Sequence, residues 1–187
     1  MEKPQSSDAP MTYQQFLDFV ADKDERYEYV DGHAVAMGIP SKTHQRISKY
    51  LTNKLDAHLE NTPCEALPSV ALRTGVQDRA PDIMVLCEKA VASDETADNT
   101  EAKLIIEILS PNRGDDLTLK HAEYQAMFSI EEYIIIDSTK RWVRHYYRNA
   151  DGKFVYDRDF IGGRIRFASI GFTLDVDDLY RFARLQT

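Results

Sequence analysis

The chain has little of what marks the specialised protein classes. It holds only two cysteines, Cys64 and Cys87, far apart in sequence and outside any C-x-x-C or Cys/His metal spacing. Neither a disulfide framework nor a zinc site is therefore expected. No apolar stretch approaches the ~20 residues of a membrane span. Met1 to Thr12 carries Pro, Ser and charges without the apolar core of a signal peptide or anchor. No internal repeat or low-complexity tract is present. These absences point to a cytoplasmic chain with no membrane partner. Excess positive charge is missing too: 23 Lys and Arg stand against 31 Asp and Glu, a net charge of −8. Nucleic-acid binders usually carry a basic footprint, because neutralising phosphates and releasing their counterions supplies most non-specific affinity. A metal-dependent enzyme can still be acidic overall, with its acids gathered where cations bind.

What is present fits one globular core. The 187 residues are 43% hydrophobic and 29% charged, and a chain of about 150 residues already buries roughly 68–70% of its unfolded surface. The expected organisation is a flexible tail over residues 1–12 and a single domain over residues 13–187. Phe16, Leu17 and Val20 recur at helical spacing behind Thr12, a good N-cap, so a short helix over residues 13–21 opens the fold. Asp31-Gly32 supplies the positive φ angles of a tight turn between two short strands within residues 26–37. Ser41 or Thr43 caps a helix running to about residue 60, in which Ile47, Leu51, Leu55 and Leu59 recur every fourth position and His44 joins the inward stripe.

Strands are expected at residues 64–67, 70–73, 80–87 and 103–110, with an acidic loop over residues 88–101. A helix capped by Asp115 follows, with Leu117, Lys120, His121, Tyr124 and Phe128 on one face. Further strands are expected at 133–137, 141–148, 153–160 and 164–167, the middle two joined by the Asn149-Ala150-Asp151-Gly152 turn, before a terminal helix near 176–185. The pattern is α/β (α+β), a mixed central sheet flanked by helices.

Two acids stand where acids are costly. Leu104-Ile105-Ile106-Glu107-Ile108-Leu109 is apolar on both faces, as in a strand covered on both sides, and Glu107 interrupts it. Asp82 poses the same problem in Ala80-Pro81-Asp82-Ile83-Met84-Val85-Leu86. An unpaired buried carboxylate costs several kcal/mol or shifts its pKa, so each needs a cation, a hydrogen-bonded partner or a cleft. Adjacent strands lie only ~4.8 Å apart, so two such acids on neighbouring strands can share a metal ion. Magnesium takes oxygen ligands, is typically held by one or two carboxylates, and leaves positions for water and substrate phosphate. The plain alternative has Asp82 starting a strand beside a loop and Glu107 pairing with a buried Arg or Lys.

Pro81-Asp82, a strand, a loop and an apolar strand bearing Glu107 resemble the PD-(D/E)XK nuclease superfamily, whose acids lie on two adjacent strands of an α-β-β-β-α-β core. More narrowly, the chain is similar to the Uma-type family of restriction-endonuclease-like proteins. The likeness runs through Tyr27-Glu28-Tyr29-Val30-Asp31-Gly32, His44, Pro81-Asp82-Ile83, Glu107-Ile108-Leu109-Ser110-Pro111, Asp116 with Lys120 and Tyr124, and Glu131-Glu132-Tyr133 to Asp137. Ser129 and Ile134 depart from the Gly and Trp usual there.

The resemblance implies a restriction-endonuclease-like core and a Mg2+- or Mn2+-dependent endonuclease acting on DNA. Asp82 and Glu107 would be the metal ligands, and Glu28, Asp82, Glu107 and Lys120 the candidate catalytic set. The superfamily lysine, two residues after the second acid, is Leu109 here; Lys120 matches the place of a lysine moved to the following helix. His44 and Tyr124 would assist. Each has a plainer reading: Glu28 as a strand-edge acid, Lys120 as a surface lysine, His44 as a satisfied core residue.

Arg141, Arg144 and Arg148 alternate with Trp142, Tyr146 and Tyr147 and could grip a nucleic-acid strand, or simply form an exposed hairpin face. A homodimer is expected, since enzymes that cut both strands of a duplex commonly work as symmetric pairs. Two rival functions remain open: a non-catalytic nuclease-like module binding nucleic acid or a protein partner, and an enzyme using this fold on another metal-assisted substrate.

Overall fold

The computed structural model describes residues 7, 9–87, 101–110 and 116–185. The expected acidic loop, Glu101 apart, and the Asp115 cap lie outside them. Helix α1 (Tyr13–Val20) is closed by a capping box between Thr12 and Gln15. Strands β1 (Tyr27–Val30) and β2 (His33–Ala36) form the expected hairpin, with Asp31 and Gly32 both at positive φ. Ser7 and Met11 donate backbone hydrogen bonds to Ala34 and Gly32, so these residues of the expected tail run beside β2. Helix α2 (Lys42–Leu59) is capped by Ser41, and its Ile47, Leu51, Leu55 and Leu59 are all buried, as their spacing predicts.

Strands β4 (Leu72–Thr74) and β5 (Gln77–Arg79) join the first hairpin in a four-stranded sheet of order β2-β1-β5-β4. The main sheet has β3 (Cys64–Pro68), β6 (Ile83–Cys87), β7 (Ala102–Leu109), β8 (Glu132–Asp137), β9 (Val143–Arg148) and β10 (Phe154–Phe160), in the order β10-β9-β8-β7-β6-β3. It is mixed: β7 and β8 run parallel and every other pair is antiparallel. A parallel pair needs a crossover, and α3 (Asp116–Ala126) lies in the connection between β7 and β8. A ribbon of β11 (Arg164–Phe167) and β12 (Phe172–Asp175) leads into α4 (Val176–Ala183).

One core packs Ile47, Leu51 and Leu55 of α2 and Leu179 of α4 against Ile83, Val85, Leu104 and Ile106. The other packs Tyr124 of α3 against Met84, Ile105, Tyr133 and Ile135. The sheet is therefore covered on both faces, which explains the apolar runs of β7 and β8.

Several expectations change. Cys64 and Cys87 form a disulfide, because antiparallel pairing of β3 with β6 makes them direct partners despite a sequence separation of 23. Strands β5 and β12 were not expected; at three and four residues they are too short to show a period. Asp82 precedes β6 instead of lying within a strand that begins at Ala80. Helix α3 ends at Ala126, so Phe128 leaves the expected face and is 80% exposed, its ring over the Arg148 guanidinium.

Arg148 holds that helix end in place. Its guanidinium donates to the carbonyls of Gln125, Met127, Ile130 and Gly152, giving the last turn of α3 both hydrogen-bond partners and a favourable cation. Arg148→Ala leaves these half-buried acceptors without their donor and is expected to destabilise the fold by about 2–3 kcal/mol. For a domain of this size that lowers the unfolding midpoint by roughly 5–10 °C. An unchanged midpoint in thermal denaturation would refute this role.

Candidate active site

Antiparallel pairing of β6 and β7 sets Ile83 opposite Ile106. Carried one step beyond the strand, that register brings Asp82 across from Glu107, whose side chain lies on the α3 side with Ile105, while Asp82 reaches His44 at the start of α2. Cβ atoms of directly opposed residues lie about 4.5–5.5 Å apart. Asp82 is 7% exposed and Glu107 2%. Asp82 is held at both oxygens: Oδ2 accepts from the Ile108 amide at 2.7 Å, and Oδ1 lies 3.1 Å from His44 Nε2. Glu107 Oε1 accepts from the Tyr124 hydroxyl at 2.9 Å and from Lys120 Nζ at 3.2 Å.

Lys120 and Tyr124 are one turn apart on α3, so both reach the same carboxylate from the same helix face. Lys120 is 1% exposed, not a surface lysine. Its ammonium also donates to Glu28 Oε1 at 2.8 Å, bringing in β1 of the smaller sheet. Glu28 accepts further from Arg79 Nη1 and from the Ala80 amide, each at 3.2 Å. Glu28, His44, Asp82, Glu107, Lys120 and Tyr124 thus meet in one buried cluster, in the seam between the two sheets and α3.

Comparison with known proteins gives the family of the chain. Residues 13–169 match the model of the Uma2 family, described as "Putative restriction endonuclease". The chain belongs to the Uma2 family. It is similar to two uncharacterized proteins of Synechocystis sp. One, slr1290, is 28% identical over 172 residues, covering 90% of each chain. The other, sll1609, is 24% identical over 151 residues, covering 78% of this chain and 85% of its own. The crystal structure of "a putative nuclease belonging to DUF820" from Anabaena variabilis matches with a TM-score of 0.78 at 18% identity, covering 93% of this chain and 99% of that one. The fold is therefore that of a nuclease-like α+β domain, and Uma2 membership supports a nuclease function. No helix among the described residues is long and apolar enough to cross a membrane.

Two members of the surrounding network, Arg79 and Glu123, carry little signal in the sequence. Arg79 is 2% exposed and binds both Glu28 and Glu123, yet β5 is too short for any pattern to mark it. Glu123 was readable only as the position three residues after Lys120 on α3. The hairpin arginines are elsewhere and engaged within the fold. Arg141 pairs with Asp177, and Arg144 grips Asp159 through two nitrogens beside the rings of Trp142 and Tyr156. Arg148 is taken up by the carbonyls at the end of α3.

Acids and basic groups are closely interleaved here: Glu28, Glu107 and Glu123 lie against Lys120 and Arg79, and Asp82 against the His44 imidazole. Burial alone would raise the Glu28 carboxyl, but Lys120, Arg79 and the Ala80 amide hold it below its ordinary value. Glu107 goes the other way. Burial pushes it up to about 7 against the pull of Lys120 and the Tyr124 hydroxyl, with the neighbouring Asp82 and Glu28 adding to the rise. Tyr124 is raised well above its usual range by burial and by Glu107, so its hydroxyl stays a donor.

Among the described residues no three His, Cys, Asp or Glu side chains form a ready-made metal cage. The donor set is two opposed carboxylates, which suits a hard cation that keeps its waters and not zinc.

A carboxyl whose pKa is raised on folding binds its proton more tightly in the native state. Its contribution is complete below its unfolded pKa and is lost as pH rises through the folded value. For metal-free protein, wild type minus Glu107→Gln is expected to lose stability between about pH 4.5 and 8, by something on the order of 2–3 kcal/mol. Taking the difference cancels His121, whose pKa burial lowers and which acts in the opposite sense. Urea denaturation across that range tests it, and parallel pH profiles for the two proteins would contradict it.

Proposed function

We propose that this Uma2 member is a Mg2+- or Mn2+-dependent endonuclease hydrolysing phosphodiester bonds of DNA. The observation that carries the reading is Lys120 Nζ bonded to Glu107, whose carboxylate opposes Asp82 across adjacent strands. Asp82 and Glu107 would hold the cation, leaving its other positions to water and phosphate. The donor chemistry fits, and so do the electrostatics: burial is what chiefly raises the Glu107 carboxyl, with Asp82 and Glu28 adding to it, and a divalent cation would favour its charged form. When bound, such a cation makes a coordinated water more acidic and stabilises charge on the leaving oxygen.

The chain's own groups supply the rest. The Ile108 amide and His44 fix the direction of the Asp82 carboxylate, and the Tyr124 hydroxyl fixes that of Glu107. Lys120 keeps a positive charge beside Glu107, where the negative charge of a pentacovalent phosphorus would develop, and a preorganised charge there stabilises the transition state. Glu28 assists by holding that lysine. Two copies related by two-fold symmetry would let one assembly cut both strands of a duplex.

Purified protein is expected to nick supercoiled plasmid with Mg2+ or Mn2+. Asp82→Ala, Glu107→Ala and Lys120→Ala should each slow cleavage at least about 100-fold, the scale of losing one group that stabilises the transition state. Undiminished nicking by Glu107→Ala would overturn the assignment. DNA binding without cleavage under any metal would make the chain a binding module.

A further inference from the structure

We infer that Arg79 and Glu123 are positioning residues that hold Lys120 through Glu28, an inference that rests on the nuclease reading above. The contacts close a ring that begins and ends on α3. Lys120 donates to Glu28 on β1, Glu28 accepts from Arg79 on β5, and Arg79 returns to Glu123, three residues beyond Lys120 on the same helix. The guanidinium meets Glu123 through two nitrogens, Nε at 2.7 Å and Nη2 at 2.5 Å, the forked geometry only an arginine offers. Glu123 is steadied by the Thr74 hydroxyl at 3.0 Å.

The ring decides where the lysine ammonium lies. Lysine carries a point charge on a flexible four-carbon stem, and beside a buried carboxylate it would collapse into a single ion pair. Here Glu28 competes for it, at 2.8 Å against 3.2 Å for Glu107. Glu28 cannot swing away, because Oε2 is bound to Arg79 while Oε1 takes the Ala80 amide as well as Lys120. Sharing the ammonium leaves Glu107 with charge to offer a metal ion and keeps the cation beside it. Arg79 thus acts at one remove: its guanidinium binds Glu28 and Glu123, and Glu28 in turn fixes Lys120.

The experiment compares wild type, Arg79→Met, Glu28→Gln and their double variant in single-turnover nicking at saturating Mg2+, with Mn2+ affinity and thermal unfolding measured alongside. Each single variant should be slowed about 10–100-fold, the usual cost of losing an outer-shell partner, with Mn2+ affinity little changed. The double variant should be no slower than the worse single, because both changes act through the same lysine. Arg79→Lys should recover only part of the rate.

Losses that multiply, or wild-type rates in folded single variants, would overturn the relay. The 15N signal of the buried Lys120 ammonium, identified by its disappearance in Lys120→Met, reads the same point without cleavage. It should shift or broaden in Arg79→Met, and an unchanged signal would refute the relay even if wild type cuts no DNA, which by itself would sink only the nuclease reading. Should Arg79→Met fail to fold, Glu123→Gln, which keeps the shape and one acceptor, replaces it with the same expected outcomes.

Discussion

One ammonium group carries the centre of this molecule. Lys120 Nζ is bonded to Glu28 of the smaller sheet and Glu107 of the larger, and it is all but inaccessible to water. Withdrawing charges from water costs several kcal/mol per ion, repaid only when partners and geometry are right. Much of the surrounding architecture bears on meeting that condition. The crossover between parallel strands β7 and β8 brings α3 over the sheet, Arg148 fixes the helix end, and Tyr124 gives the same carboxylate a second donor.

The partners are unevenly shared. Glu28, Glu107 and Glu123 draw on Lys120 and Arg79, while Asp82 is held by the His44 imidazole and the Ile108 amide. Buried, perturbed groups of this kind cluster at functional sites, and the proposed divalent cation would find its ligands among them. Uma2 membership and a nuclease-like fold agree with a nuclease function. The hairpin arginines that could have met phosphate are bound instead to Asp159, Asp177 or backbone carbonyls.

Much of this was legible beforehand wherever a long period or a strong local preference was at work. The apolar stripe of α2, the Asp31-Gly32 turn and the doubly covered run of β7 needed only residue order, because helix and strand periods and positive-φ turns are local properties. The acids at 82 and 107 stood out for the same reason, as charged residues against apolar runs, although Asp82 lies just before β6 and only Glu107 within its strand. Short elements escaped: β5 and β12 have too few residues for alternation to register.

By itself, the sequence determined the class of fold, the family and the two acids that an apolar sheet would not hold without purpose. Tertiary structure alone decided which residues answer them. Cys64 and Cys87 became bonded partners through strand pairing, Arg79 and Glu123 entered the cluster from a three-residue strand and a helix, and Lys120 went inward instead of outward. Such partnerships join positions tens of residues apart, and nothing in a local pattern records them. They follow from which strands pair and which helix crosses, and from the cost of leaving a buried charge without a counterpart.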